Sequence, residues 1–290
     1  MEKVWPQLKI EEMPNGAKRI LWRRKFIVET RPLSEIKNWA KSSSKALMIT
    51  TGPSIKNENL SNLGDSFVVG VNGAIAIQDD HPIKFDAYFI VDASFIKNRP
   101  SLFERVLNSN IPCFLSYNCL GQICDTDPNL LKNKEIYVLE AVNKRFNRPA
   151  LAPDKFYAWA QSQKYFVTSP GFSPNNEKVG FSFNPEIGVY DGATVAFWAL
   201  QVLLYAGFSS IGILGMDLGN TESAVRFYEA KEDGLRSKLE KNYQSTIEPS
   251  FKLAAIAFEK RGCEVYNLSP VSRLSQDIIR KVSLADFINK

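Results

Sequence analysis

Apolar residues along this chain gather in short, nearly unbroken runs separated by polar stretches or by Gly and Pro. KALMITT (45–51), FVVGV (67–71), DAYFIV (86–91), PCFLS (112–116), EIYVL (135–139), SIGIL (210–214) and CEVYNL (263–268) are of this kind. Several are rich in β-branched residues, and runs of this length between turn formers predict strands. They are apolar at consecutive rather than alternate positions, so both faces of each strand are expected to be buried, as in a parallel sheet. Two longer segments read as helices. GATVAFWALQVLLYAGF (192–208) is apolar almost throughout and meets a glycine stop at Gly207. SFKLAAIAFEKRG (250–262) stops at Gly262, directly before the run at 263.

The order helix 192–206, strand 210–214, helix 250–261, strand 263–268 repeats a βαβ grammar. The expected class is therefore α/β: a Rossmann-like open, mainly parallel sheet with helices on both faces. Residues 145–190 break the pattern, being rich in Pro, Gly, Asn and aromatics without a period. Such a stretch is expected to be an irregular insertion, functional or a lid. No internal repeat or low-complexity tract is visible. The expectation is one α/β domain over residues 1–290, with 1–40 a basic N-terminal segment.

Composition narrows this picture only a little. The 290 residues are 44% hydrophobic and 23% charged, an ordinary soluble balance that can bury a substantial core. No run reaches the roughly 18 apolar residues needed to span a bilayer, and the first ten residues, MEKVWPQLKI, lack the apolar stretch of a signal peptide. A cytoplasmic location is the default expectation. Cys113, Cys119, Cys124 and Cys263 fall in no C-x2-C pair, and His81 is the one imidazole. A structural zinc site and a histidine-based triad are both disfavoured, and free thiols in a reducing compartment are expected.

The net charge of +5 is modest, but part of it is concentrated in AKRILWRRKF (17–26). There Lys18, Arg19, Arg23, Arg24 and Lys25 alternate with Ile20, Leu21, Trp22 and Phe26. Such a pattern suits an anionic membrane surface or a phosphorylated substrate, while a solvated edge strand or helix is the commoner explanation. No stacking motif or second basic stripe supports nucleic acid.

The candidate chemistry lies where the predicted strands end, because an open parallel sheet binds ligands beyond its carboxyl edge at a topological switch point. After the first strand come Thr50, Thr51, Gly52, Pro53 and Ser54; after the second, Asn72 and Gly73; after the third, Asp92, Ala93 and Ser94. Gly215, Met216, Asp217, Leu218, Gly219 and Asn220 follow the strand at 210, and Ser269, Pro270, Val271 and Ser272 follow the strand at 263. Each stretch alone is explained by a turn or a helix cap. Together they place small hydroxyl, amide and carboxylate groups along one edge. Gly52 would let backbone approach a ligand, and hydroxyl and N–H donors at the next helix start would suit a phosphate. Neither a dinucleotide fingerprint nor a Walker loop is present, which disfavours oxidoreductases and P-loop ATPases.

TTGPSI, VNGAI, YDGATVAFWALQVLLYAGFSSIGILGMDL and CEVYNLSPVSRL together resemble bacterial glycosyltransferases that use CMP-activated acidic sugars. The closer resemblance is to lipopolysaccharide core enzymes that add a further Kdo (3-deoxy-manno-octulosonic acid) residue, with sialyltransferases as more distant relatives. It covers roughly residues 45–95 and 188–275 in the right order. It implies a GT-A-like variant of the Rossmann sheet and a CMP-sugar donor. Gly52, Pro53 and Ser54 would lie against the donor, with Thr51 where the sialyltransferases have asparagine. Asn72 and Gly73 would meet the donor, and Asp92 falls where those enzymes carry another asparagine near ribose and phosphate. Asp191, Gly192 and Thr194 match a loop and helix start that hold the sugar carboxylate. Gly215 and Asp217 match the segment after the central strand, and Ser269, Pro270 and Ser272 a loop that recognises cytidine.

The general base is the main departure. The sialyltransferases use a histidine before their last long helix, whereas NYQSTIEPSFKLAA has none. Glu248 is the nearest group able to take the acceptor proton, with Asp191 and Asp217 as rivals, although Glu248 equally fits a first-turn helix acid. Arg226 and Tyr228 stand where the relatives carry groups that stabilise the departing phosphate. Asp125-Thr126-Asp127 imitates a metal-binding D-x-D, but it reads better as a turn ahead of Pro128. A CMP leaving group carries less charge than a diphosphate, so no metal and no cofactor beyond the donor are expected.

The expected function is thus inverting, metal-independent transfer of an acidic sugar, Kdo first, onto a lipopolysaccharide inner-core acceptor. The glycolipid acceptor would give the basic segment a role in peripheral contact with the inner face of the cytoplasmic membrane. The rivals are a sialyltransferase, a pterin pyrophosphokinase-like enzyme with a similar Gly-Pro-Ser start, and a non-catalytic nucleotide- or sugar-binding module.

Overall fold

A computed structural model describes residues 5–41, 43–168, 177–219, 226–229 and 239–290. The chain begins with a three-stranded antiparallel sheet: β1 (Leu8–Glu12), β2 (Lys18–Trp22) and β3 (Lys25–Glu29). Arg23 and Arg24 join β2 to β3 with φ of +50° and +67°, the left-handed pair that a two-residue type I′ hairpin turn requires. Next come β4 (Lys45–Ile49), β5 (Phe67–Val71), β6 (Ala87–Ile90), β7 (Cys113–Ser116) and β8 (Ile136–Leu139). A short antiparallel pair, β9 (Phe166–Val167) and β10 (Phe181–Ser182), precedes β11 (Ser210–Leu214) and β12 (Glu264–Asn267).

Seven of these strands form one sheet in the order β12-β11-β4-β5-β6-β7-β8, and every pairing in it is parallel. The chain steps outward from β4 to β8 and then returns to the other side of β4. The switch point of the sheet is therefore the crevice between the ends of β4 and β11.

The helices are α1 (Ala93–Asn98), α2 (Pro100–Asn108), α3 (Tyr117–Thr126), α4 (Pro153–Ser162), α5 (Val195–Tyr205), α6 (Leu239–Asn242), α7 (Glu248–Lys260) and α8 (Leu284–Asn289). A π turn, Tyr243–Ile247, connects α6 to α7. Strand residues alternate between two cores. Met48, Val69, Phe89 and Phe114 face α4, α5 and α7 through Phe156, Phe197 and Phe251. Leu47, Val68, Tyr88 and Leu115 face α1 to α3, α8 and the N-terminal sheet through Phe95, Ile123, Phe287 and Trp22. Burial on both faces is why these strands read as continuous apolar runs.

All seven predicted strands are present, with ends that agree to within two residues. Gly207 and Gly262 take φ of +97° and +62° just beyond α5 and α7, as helix-stopping glycines do. Two expectations need correction. Residues 145–190 are not irregular throughout: they contain α4, β9 and β10, and Phe156, Val167, Phe181 and Tyr190 are built into the core beside α5. The helix is ten residues long with Pro153 in its first turn, too short to impose a visible period. The basic segment is a solvated edge strand only in part: β3 lies at the edge of the three-stranded sheet, whereas β2 is its central strand, packed through Trp5, Ile20 and Trp22.

Candidate functional site

Gly52 draws β4 and β11 together. Its N–H donates to the Gly215 carbonyl at 2.8 Å. A Cβ at this position would lie 2.2 Å from that oxygen and 2.5 Å from Asp217 Oδ2, so only glycine leaves room for the approach. Its own backbone is ordinary, with φ of −68° and ψ of 148°; the requirement is for space, not for a special dihedral. Pro53 opens a 3-10 turn, Pro53–Asn57, and Ser54 donates to the Asp217 carboxylate twice, from its N–H at 2.8 Å and its hydroxyl at 2.5 Å. The anion received by this helix start in the structure is thus Asp217 itself, a buried side chain.

The loop after β12 closes on the same point. Ser269 is fully buried, with its hydroxyl 3.5 Å from that of Ser54. Ser272 donates through its hydroxyl to the Met216 carbonyl at 2.6 Å, and the Arg273 N–H donates to the Asp217 carbonyl at 2.9 Å. Pro270 and Val271 stay exposed at the rim, Pro270 accepting from Lys281. Chain direction turns at Gly215 and Leu218, both at positive φ.

A third wall comes from residues 226–229. The Phe227 N–H donates to the Thr51 carbonyl at 3.2 Å. The Tyr228 ring lies on Gly73, where a Cβ would fall 2.2 Å from a ring carbon. Burial pushes the Tyr228 phenol up to about 12, with the Arg226 guanidinium opposing part of that shift. Asn72, at φ +46°, has a buried side-chain oxygen with no hydrogen-bond partner among the described residues. Arg226 pairs with Glu229 at 2.9 Å, and Arg99 reaches the same carboxylate oxygen at 2.8 Å. The Glu229 side chain is 2% exposed and those of Arg226 and Arg99 32% and 23%, so among the described residues two guanidiniums share one buried carboxylate beside Tyr228.

The structure therefore gathers Thr51, Gly52, Pro53, Ser54, Gly215, Asp217, Ser269, Pro270 and Ser272 at the switch point and links them through Phe227 and Tyr228 to Asn72 and Gly73. The remaining predicted residues occupy other helix starts. Asp92 caps α1 by accepting from Ser94 N at 2.9 Å. Asp191 pairs with Lys178 at 3.2 Å, Gly192 takes φ of +54°, and Thr194 caps α5 by accepting from Phe197 N at 3.1 Å. Glu248 opens α7 and pairs with Lys252 at 2.7 Å. It also acts electrostatically on Tyr243, whose hydroxyl donates to the Arg273 carbonyl and whose ring lies 3.9 Å from the Arg273 guanidinium. Asn220 lies outside the described residues. Asp127 caps a 3-10 turn by accepting from Asn129 N at 2.9 Å.

Sequence reasoning passed over Arg99, Glu229, Arg273 and Asn118. Asn118, in the first turn of α3, is another residue whose buried side-chain oxygen has no partner among the described residues, as are Tyr190 and Ser250. The signal for Arg273 was its place in SPVSRL, and for Glu229 its spacing three residues after Arg226; for Arg99 there was none, since it meets Glu229 across 130 residues.

A wholly parallel open sheet with a polar crevice at its switch point defines a Rossmann-like α/β domain of the kind that carries ligands at its strand ends. The comparisons specify which. Residues 28–285 match the family described as 3-deoxy-D-manno-octulosonic acid transferase WaaZ, and the chain belongs to that family of sugar transferases. It is similar to the probable 3-deoxy-manno-octulosonic acid transferase of Escherichia coli K12, at 24% identity over 85% of both chains. It is also similar to the protein of the same description from Salmonella typhimurium LT2, at 22% identity over 85% of this chain and 89% of that one. Among solved structures, the MAf glycosyltransferase from Magnetospirillum magneticum AMB-1 aligns with a TM-score of 0.48 and 15% identity, covering 83% of this chain and 34% of the other.

Proposed function

We propose that this protein transfers Kdo from its CMP ester to a hydroxyl of a lipopolysaccharide inner-core acceptor. The observation that supports the reading most, beside family membership, is the convergence of Thr51–Ser54, Gly215–Asp217 and Ser269–Ser272 on one crevice. Charge divides the labour within it. Asp217 would repel a phosphate but would attract hydroxyl or amino donors, which ribose and cytosine supply. The phosphate and sugar carboxylate belong with Arg226 and Arg99, whose planar guanidiniums bind such groups bidentately. Tyr228, kept protonated by burial, would donate to the same anion.

In this reading the acceptor oxygen attacks the anomeric carbon from the face opposite the phosphate. The anomeric C–O bond breaks, CMP leaves with the electron pair, and the configuration inverts. The acceptor proton passes to a carboxylate. Asp217 is the weakest of the three candidates because Ser54 engages both of its oxygens, which leaves Glu248 and Asp191. The leaving monophosphate is offset by guanidinium and phenol donors, so a divalent cation is not required. Among the described residues no helix is long and apolar enough to cross a membrane. A lipid-linked acceptor would bring the protein to the inner face of the cytoplasmic membrane.

Calorimetric titration with CMP, CDP, UDP and ATP, followed by incubation with CMP-Kdo generated in situ and mass spectrometry of truncated core glycolipids, tests the proposal. CMP preference and a mass gain of one Kdo are the expected results; preference for ATP would refute it. One observation favours a second reading, a non-catalytic binding module: each candidate base is already in an ion pair or hydrogen bond. Tight CMP binding without turnover would select it.

A further inference from the structure

The basic hairpin is not used by the donor site. We propose that its tip, Arg23, Arg24, Lys25 and Phe26, docks this protein on an anionic phospholipid surface. Three features carry the inference. First, the turn has the wrong residues for its shape. Both central positions of a type I′ turn have positive φ and favour Asn-Gly, yet arginines stand at +50° and +67°. An unfavourable backbone retained at a surface tip points to use of the side chains it presents.

Second, the tip is unneutralised. Among the described residues no carboxylate pairs with Arg23, Arg24 or Lys25, while the acids of the same sheet are taken, Glu29 by Arg19 at 3.6 Å and Glu11 by Lys9 at 2.6 Å. Third, Phe26 beside these cations is 56% exposed, one of the few large apolar side chains so placed among the described residues. Cations around an exposed aromatic match a bilayer interface, where headgroup phosphates meet acyl chains. A nucleic-acid groove would call for a longer basic stripe, which the rest of this sheet, with its paired acids, does not offer.

The tip is also held stiffly. Lys18, at the other end of β2, pairs with the buried Glu140 at 2.9 Å, and Trp5 and Trp22 anchor the sheet over Gly121. A five-residue strand places the tip about 14 Å from that bolt.

The test is flotation of the full-length protein with vesicles of phosphatidylglycerol or of phosphatidylcholine, at low and high salt. The double variant Arg23→Asn/Arg24→Gly removes two charges and installs the residues that the turn prefers, so it is expected to melt no lower than wild type. Each basic residue near an anionic surface contributes about five-fold in partitioning, so the double variant should bind phosphatidylglycerol about 25-fold more weakly. Phe26→Ser should weaken binding further in a salt-insensitive way. Wild type failing to float with phosphatidylglycerol, or the double variant floating equally well, overturns the proposal. Retention on duplex DNA that is lost in the variant, without vesicle binding, also overturns it. CMP titration of the same variant is expected to be unchanged, so the outcome is independent of the donor reading.

Discussion

Gly52→Ala isolates the central contact of the crevice, because two simple considerations predict opposite signs. At φ −68° and ψ 148°, alanine fits without backbone strain. Reduced freedom of the unfolded chain would then stabilise the protein by about 0.4–1 kcal/mol. Against this, the new Cβ would stand 2.2 Å from the Gly215 carbonyl oxygen and 2.5 Å from Asp217 Oδ2. Neither neighbour yields easily: Gly215 belongs to the backbone leaving β11, and Asp217 is held by two bonds from Ser54. The ends of β4 and β11 must separate, with overpacking of up to about 3 kcal/mol and strain on a hydrogen bond worth about 1 kcal/mol. The net expectation is a loss of about 2–3 kcal/mol, read as a lower urea midpoint at constant slope and a melting point lower by about 5 °C. Gly262→Ala is the control. It has open space around it but φ of +62°, so its loss of about 1 kcal/mol comes from the dihedral alone. If Gly52→Ala is as stable as wild type or more so, the close approach of β4 and β11 is wrong.

Three further outcomes follow from the same geometry. A double-mutant cycle on Asp217→Asn and Ser54→Ala should give a coupling of about 1–2 kcal/mol in urea unfolding, and additive losses would refute the clasp. Arg226→Ala and Arg99→Ala should each weaken CMP about ten-fold while leaving cytidine unchanged in calorimetry; equal losses for both ligands would remove the arginines from the phosphate role. Burial pushes the thiols of Cys113, Cys119 and Cys124 up to about 12. Their unfolded values lie near about 8.5, so the stability they contribute is complete below that pH and lost as pH climbs toward their folded values, by about 1.4 kcal/mol per thiol per pH unit. Urea midpoints should fall accordingly above about pH 9, and a flat profile would refute it.

Strands buried on both faces announce themselves locally, which is why the seven-stranded sheet was readable residue by residue. Ala46 and Met48 point into one core while Leu47 and Ile49 point into the other, so no polar position interrupts the run. The N-terminal sheet lacked both signals. One face of β2 is solvated, so the buried Ile20 stands between the exposed Arg19 and the half-buried Leu21, and the turn after it is Arg-Arg where Asn-Gly would have marked a hairpin. The helix α4 stayed hidden because Phe156 and Ala160 give it a single i,i+4 pair of buried positions.

The site was legible in its location but not in its wiring, and the difference has a chemical consequence. That polar residues cluster at strand ends follows from sheet geometry. What each of them bonds to depends on which strand lies beside β4, and local pattern does not state that order. Thr50 donates to the Leu214 carbonyl 164 residues away, Ser54 to Asp217 163 residues away, and Ser272 to the Met216 carbonyl. Those hydroxyls hold the crevice together and so have less left to offer a ligand. The buried side-chain oxygen of Asn72, by contrast, has no partner among the described residues, and a buried acceptor without a donor is costly unless something else supplies one. Recognition of hydroxyl and amino groups on a donor substrate would then fall to that amide and to Asp217. Recognition of its negative charge would fall to Arg226 and Arg99.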